Sequence, residues 1–125
     1  MRKEYGEELM ITGVHHLSII ASSEESIIFY SSLGFCEYKR VEREYDTVVI
    51  MNGHGIGLEI FIDPTHPPRT SPEPLGLRHL SLCVDKIEDT IEELGLEVGP
   101  LVTDWIGKRF CFITDPDGWL VQLHE

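Results

Sequence analysis

The sequence predicts an α+β protein made of two copies of one strand–helix–three-strand unit. Three observations carry this. First, Gly76-Leu77-Arg78-His79-Leu80-Ser81 nearly restates Gly13-Val14-His15-His16-Leu17-Ser18 at an offset of 63 residues, and the same offset sets Gly55 on Gly118, Val48-Val49-Ile50 on Cys111-Phe112-Ile113 and Glu59 on Gln122. A repeat of about half the chain denotes a duplicated module and not a solenoid. Second, each copy opens on alternating apolar residues, passes through a helix-period stretch and returns to strand-like runs bounded by turn residues. Third, five of the seven prolines fall between the copies.

Gly13 to Ala21 reads as a strand ended by a serine cluster, and Ser22-Ser23-Glu24-Glu25-Ser26 as a helix start, with serine to cap it and acids in the first turn. Ile27, Ile28, Tyr30 and Leu33 form the expected inward stripe, and Gly34 the stop. Phe35 to Arg43 is a second strand near an edge, Tyr45 to Met51 a third, and Ile56 to Ile62 a fourth, with Asn52-Gly53 as hairpin chemistry before it. Residues 12–63 are then module one, and the proline-rich linker of residues 64–75 cannot continue a sheet. In module two, residues 76–125, Leu77 to Val84 is a strand and Ile87 to Leu94 a helix stopped at Gly95. Leu96 to Trp105 holds a strand broken by Gly99-Pro100, and Arg109 to Thr114 is the next. The Asp115-Pro116-Asp117-Gly118 turn then leads into Trp119 to His124. Residues 1–11 are polar and read as a loose tail or short helical lead-in.

The 125 residues suit one domain, 1–125, with enough chain to bury a core. The net charge of −12 disfavours nucleic acid, whose binding rests on Lys and Arg at phosphates. No apolar run reaches bilayer length, and Met1 to Met10 lacks the apolar core of a signal peptide, so no membrane partner and a cytoplasmic location are expected. Cys36, Cys83 and Cys111 are odd in number and widely spaced, which points to buried, reduced thiols.

Side chains alternate faces along a strand, so residues sharing a face can be read from spacing. His16 and His79 lie on the first strands, Glu59 and Gln122 on the last, with 43 residues between partners in each half. If the modules pair about a pseudo-twofold axis, two imidazoles, a carboxylate and an amide oxygen face one cavity. That donor set suits a divalent ion such as Zn, Ni, Mn or Fe. The ordinary alternative for Glu59 is an ion pair with Arg78 or Arg109. His15 points the other way along the strand, and His54, His66 and Arg69 read as surface or solvated loop.

The order and spacing of His15-His16-Leu17-Ser18-Ile19-Ile20, Phe29-Tyr30, Leu33-Gly34-Phe35, Leu58-Glu59-Ile60-Phe61, Gly76-Leu77-Arg78-His79-Leu80 and Phe112 followed by Asp115-Pro116-Asp117-Gly118 resemble the vicinal oxygen chelate superfamily. That group includes glyoxalase I, the bleomycin-resistance proteins and dioxygenase-like members. The resemblance spans residues 12–125. It implies two paired βαβββ modules forming a curved mixed sheet around a central cavity, with His16, Glu59, His79 and Gln122 as metal ligands. The family pattern usually has Glu where Gln122 stands, which leaves Glu59 as the one carboxylate able to move a proton between adjacent carbons. A neutral amide also leaves the site one charge more positive, which favours an anionic ligand.

The leading reading is a metal-dependent glyoxalase I-like lyase or isomerase acting on a small oxygenated, anionic metabolite, with catalytic Glu59. A non-catalytic small-molecule binding or resistance protein of the bleomycin-resistance type, and an epimerase-like relative, are the alternatives. Tyr45, Trp105, Arg109 and His124 are candidate substrate contacts at the cavity mouth, Arg109 through bidentate pairing with a carboxylate. The resemblance leaves two arrangements open, a homodimer with sites between chains or two modules pairing within one chain.

Overall fold

The structure, a computed structural model, describes residues 10–125. The expected lead-in lies outside them apart from Met10 and Ile11, both exposed. The first half forms β1 (His16–Ala21), α1 (Glu25–Ser32), β2 (Cys36–Glu42), β3 (Thr47–Gly53) and β4 (Ile56–Ile62). The second forms β5 (His79–Cys83), α2 (Ile87–Leu94), β6 (Val102–Thr103), β7 (Arg109–Thr114) and β8 (Leu120–His124). Each half is a four-stranded mixed sheet, ordered β1-β4-β3-β2 and β5-β8-β7-β6. The first strand of each joins the last in parallel, and the remaining pairs are antiparallel. A parallel neighbour has to be reached by a crossover, which the helix and the two intervening strands supply in each half. The chain is thus α+β with two paired modules.

Alternation sorts each strand into two faces. Ile19 and Ala21 of β1, Leu58 and Ile60 of β4, and Val121 and Leu123 of β8 are buried in one core that spans both halves. Tyr30 and Phe35 of the first half and Ile87, Cys111 and Trp119 of the second complete its centre. The opposite faces carry His16, Ser18 and Ile20 on β1, Glu59 on β4, His79 and Ser81 on β5, and Gln122 and His124 on β8. None of these is fully buried.

The helix α1 is held at both ends by hairpin turns. At its start, Asp117 accepts hydrogen bonds from the Ser22 N–H (2.9 Å), the Ser22 hydroxyl and the Ser26 hydroxyl (3.4 Å). Its middle meets the same turn, where the buried Tyr30 hydroxyl donates to Asp115 Oδ2 at 2.8 Å. Asp115 in turn accepts the N–H groups of Asp117 and Trp119 at 2.9 and 2.8 Å. Burial, and then the Asp115 charge, push the Tyr30 phenol far above its ordinary range, so it serves only as a neutral donor. At the far end of α1, His54 Nε2 lies 2.8 Å from the Leu33 carbonyl oxygen.

Four expectations shift. The hairpin turn after β3 centres on His54-Gly55, one dipeptide later than expected, with φ of +54° and +79°. A two-residue turn of this type needs positive φ at both positions, and contacts with Leu33 and Phe35 hold His54 there. On α1, Ile28 is exposed and Ser26 is buried in its place, because the Ser26 hydroxyl faces Asp117. The stretch from Leu96 to Trp105 keeps only the two-residue β6. Gly99 N–H still reaches the Phe112 carbonyl, but Pro100 has no donor with which to continue the ladder. Of the cysteines only Cys111 is buried, which raises its thiol pKa, whereas Cys83 lies on the same face as His79 and is exposed, as is Cys36 on β2.

Candidate functional site

The parallel register of β1 on β4 sets Ser18 opposite Glu59 and His16 opposite Gly57, so His16 and Glu59 are diagonal neighbours on one face. Gly57 allows the approach, since a Cβ there would meet the His15 carbonyl oxygen at 3.0 Å. His16 Nδ1 lies 3.3 Å from Glu59 Oε2, with both side chains partly exposed. His15 Nδ1 stands 2.8 Å from His16 Nδ1, one nitrogen carrying the hydrogen and the other accepting it. Among the described residues, His15, His16 and Glu59 form the one group of three His, Cys, Asp or Glu side chains whose ligand atoms lie within 4.8 Å of one another. Sequence alternation sends His15 away from this face. Because β1 begins only at His16, the backbone at His15 is free of that constraint. The adjacent pair of histidines was the available signal.

The second sheet repeats the diagonal arrangement. His79 is opposite Leu120 and Ser81 is opposite Gln122. The His79 ring stands edge-on to Phe112, with centroids 5.1 Å apart, and its Nδ1 is buried with no hydrogen-bond partner. Burial, followed by the nearby Arg78 charge, lowers the His79 pKa and so favours the neutral, ligand-competent imidazole. Gln122 Oε1 accepts a hydrogen bond from the Ser81 hydroxyl at 2.7 Å. The four predicted ligand positions therefore stand as two pairs, one on the open face of each sheet, and His79 does not join the group around Glu59.

The residues fit a divalent cation. Two ligand atoms about 2.0–2.1 Å from a tetrahedral ion stand about 3.4 Å apart, close to the His16–Glu59 separation. His79 Nδ1, buried and without a hydrogen-bond partner among the described residues, has a lone pair that suits it to serve as a further ligand.

Of the expected substrate contacts, His124 shares the Gln122 face of β8, and Arg109 and His124 are engaged in bonds of their own. Arg109 Nε donates to Glu125 at 2.8 Å and its two terminal nitrogens donate to Glu88 at 2.8 Å, so the fork ties β7 to α2. The ring nitrogens of His124 lie 3.0 Å from Asp104 Oδ2 and 2.8 Å from the Glu125 carbonyl oxygen, and the ring stacks with Phe110. Trp105 is exposed in the β6–β7 turn, and Tyr45 is exposed beneath the Arg43 guanidinium, 4.6 Å from its ring centroid. Glu59 pairs with neither Arg78, which bonds Glu73, nor Arg109.

The proline-rich linker lines a cleft of about 580 Å³ opposite β1. Ser18, Ile20 and Ser22 form one wall, and Pro67, Pro74, Leu77 and Trp119 give it apolar surface. Its polar groups include Arg69 and His66, the latter 3.3 Å from Asp63. Ser18 and Ile20 share the face of His16, so the cleft opens along the same strand as the His16–Glu59 pair. The prolines made this segment read as a solvated loop, and the cleft it lines opposite β1 had no local signature.

With the fold and these residues in place the class is defined: the chain belongs to the Glyoxalase/Bleomycin resistance protein/Dioxygenase superfamily, which matches residues 13–123. Among its relatives is YwkD of Bacillus subtilis (strain 168), an uncharacterized protein, 38% identical over 128 residues that span 94% of this chain and 99% of YwkD. A glyoxalase family protein from Enterococcus faecalis superposes with a TM-score of 0.84 at 36% identity, covering 94% of this chain and all of that one. A variant of the fosfomycin resistance protein FosX from Listeria monocytogenes, complexed with Mn(II) and 1S,2S-dihydroxypropylphosphonic acid, shares the fold at a TM-score of 0.67 and 18% identity, over 92% of this chain and 93% of that one.

Proposed function

We propose that this protein is a metal-dependent lyase or isomerase of the glyoxalase I type, acting on a small oxygenated, anionic metabolite in a site completed by a second copy of the chain. The observation that carries it is the matched diagonal pair on each sheet, His16 with Glu59 and His79 with Gln122, the first pair 3.3 Å apart. The Mn(II) in the FosX variant supports a divalent ion in a shared fold. Because the two pairs lie on separate sheets, two copies related by a twofold axis would set the first pair of one chain against the second pair of the other, giving two identical sites.

The bound ion would polarise substrate oxygens and so acidify the neighbouring C–H. Glu59 is the one carboxylate among the four ligand positions, and it removes the proton and returns it to the adjacent carbon. His79, held neutral, and Gln122 add no negative charge, so the site tolerates a substrate that brings its own. Arg69, which lines the cleft, offers a cationic partner for that charge.

The test is direct. Purified protein should carry near-stoichiometric divalent metal. In deuterated water it should exchange the C–H beside the carbonyl of a small α-hydroxy carbonyl acid, and Glu59→Gln should abolish exchange while leaving the fold intact. Protein that is metal-free, with a melting curve unmoved by chelator, would instead support the non-catalytic binding reading, which the apolar cleft walls favour.

A further inference from the structure

Gln122 raises a difficulty that Glu59 does not. A carboxylate presents an oxygen whichever way it turns, whereas an amide presents oxygen at one end and two N–H donors at the other. Only one of the two amide orientations can serve a cation, and nothing intrinsic to the side chain selects it.

The sheet supplies the selection. Ser81 is the register partner of Gln122, and its hydroxyl donates to Gln122 Oε1 at 2.7 Å. The amide oxygen is thereby held on the β5 side, the strand that also carries His79. A carbonyl oxygen accepts along two lone pairs, so one stays open after Ser81 has taken the other. The first half provides a comparison within the same chain. Ser18 is the register partner of Glu59, at the position equivalent to Ser81. Among the described residues Ser18 makes no hydrogen bond to Glu59, whose nearest partner is His16. The serine is present in both halves, but the hydrogen bond forms only where the opposing side chain is an amide.

We propose that Ser81 is a positioning residue that fixes the amide of Gln122 with its oxygen toward the candidate metal centre. The inference rests on the metal reading above. Groups that orient a metal ligand in this way commonly change affinity about 10-fold or more when removed. Ser81 is exposed and carries none of the core, so its replacement leaves the fold intact.

The experiment is Mn(II) titration of the full-length, chelator-stripped protein, with free ion followed by electron paramagnetic resonance and folding checked by thermal melts. Ser81→Ala should weaken Mn(II) binding by about 10-fold, and Ser81→Thr, which keeps the hydroxyl, should restore it. In the Gln122→Glu background, where the ligand has oxygen at both ends, Ser81→Ala should leave the affinity unchanged. Unchanged affinity of Ser81→Ala in the natural background overturns the proposal, and so does an equal loss in both backgrounds. A folded natural protein that takes up no Mn(II) overturns the metal reading itself, and this inference with it.

Discussion

Tyr30 brings a phenol hydroxyl into a fully buried position, and such a group must find an acceptor. It finds Asp115, from the other half of the chain, at 2.8 Å. Removing the donor leaves a buried carboxylate oxygen unmatched, so Tyr30→Phe should lower unfolding stability by about 1–3 kcal/mol. Denaturant melts at constant m-value would show this, and an unchanged midpoint would mean that the bond contributes nothing net. The sequence marks Tyr30 as an inward residue but not its partner, because Asp115-Pro116-Asp117-Gly118 carries turn chemistry that already accounts for both acids. The candidate ligands were more legible. Duplication raised His16, Glu59, His79 and Gln122 above the background of ordinary polar residues. Of their neighbours, Ser81 repeats Ser18 whereas His15 has no counterpart, and the contacts of both could not be read, since they depend on where β1 begins and on the β5–β8 register.

Between elements, Arg109 is the clearest fastening, joining β7 to α2 through Glu88 and to Glu125 beside the end of β8. Its hydrogen bonds hold the Glu88 carboxyl down at about 2 and lower that of Glu125 as well. Both pKa values are depressed in the folded state. Their stabilisation is therefore present above the ordinary carboxylate range and is lost as pH falls from about 4.5 toward 2. Arg109→Gln should flatten that part of the acid-unfolding profile while leaving the neutral-pH fold in place. An acid limb as steep as that of the natural protein would count against the clamp. Helices and strands were themselves largely readable, because period-2 and period-3.6 patterns follow directly from burying one face. Loops were not, since a proline tract or a Gly-Pro step says where a ladder stops and not what the freed chain then packs against.

At the scale of the whole molecule, the two sheets form no hydrogen bonds with each other among the described residues, and what unites the halves is the shared core and the grip of the second-half turn on α1. The halves are no longer equivalent: the second-half turn reaches across to the start of α1, while its first-half counterpart holds that helix's end. The same separation puts one pair of candidate ligands on each sheet. Its consequence is genetic as much as structural. If each pocket takes one half from each of two chains, a Glu59→Gln chain and a His79→Ala chain are each inactive alone, yet they carry their lesions in different halves. Co-refolded in equal amounts, half of their dimers would be mixed. Each mixed dimer would hold one pocket with both lesions and one with neither, returning about one quarter of the natural activity. If one chain closes its own pocket, the mixture stays inactive.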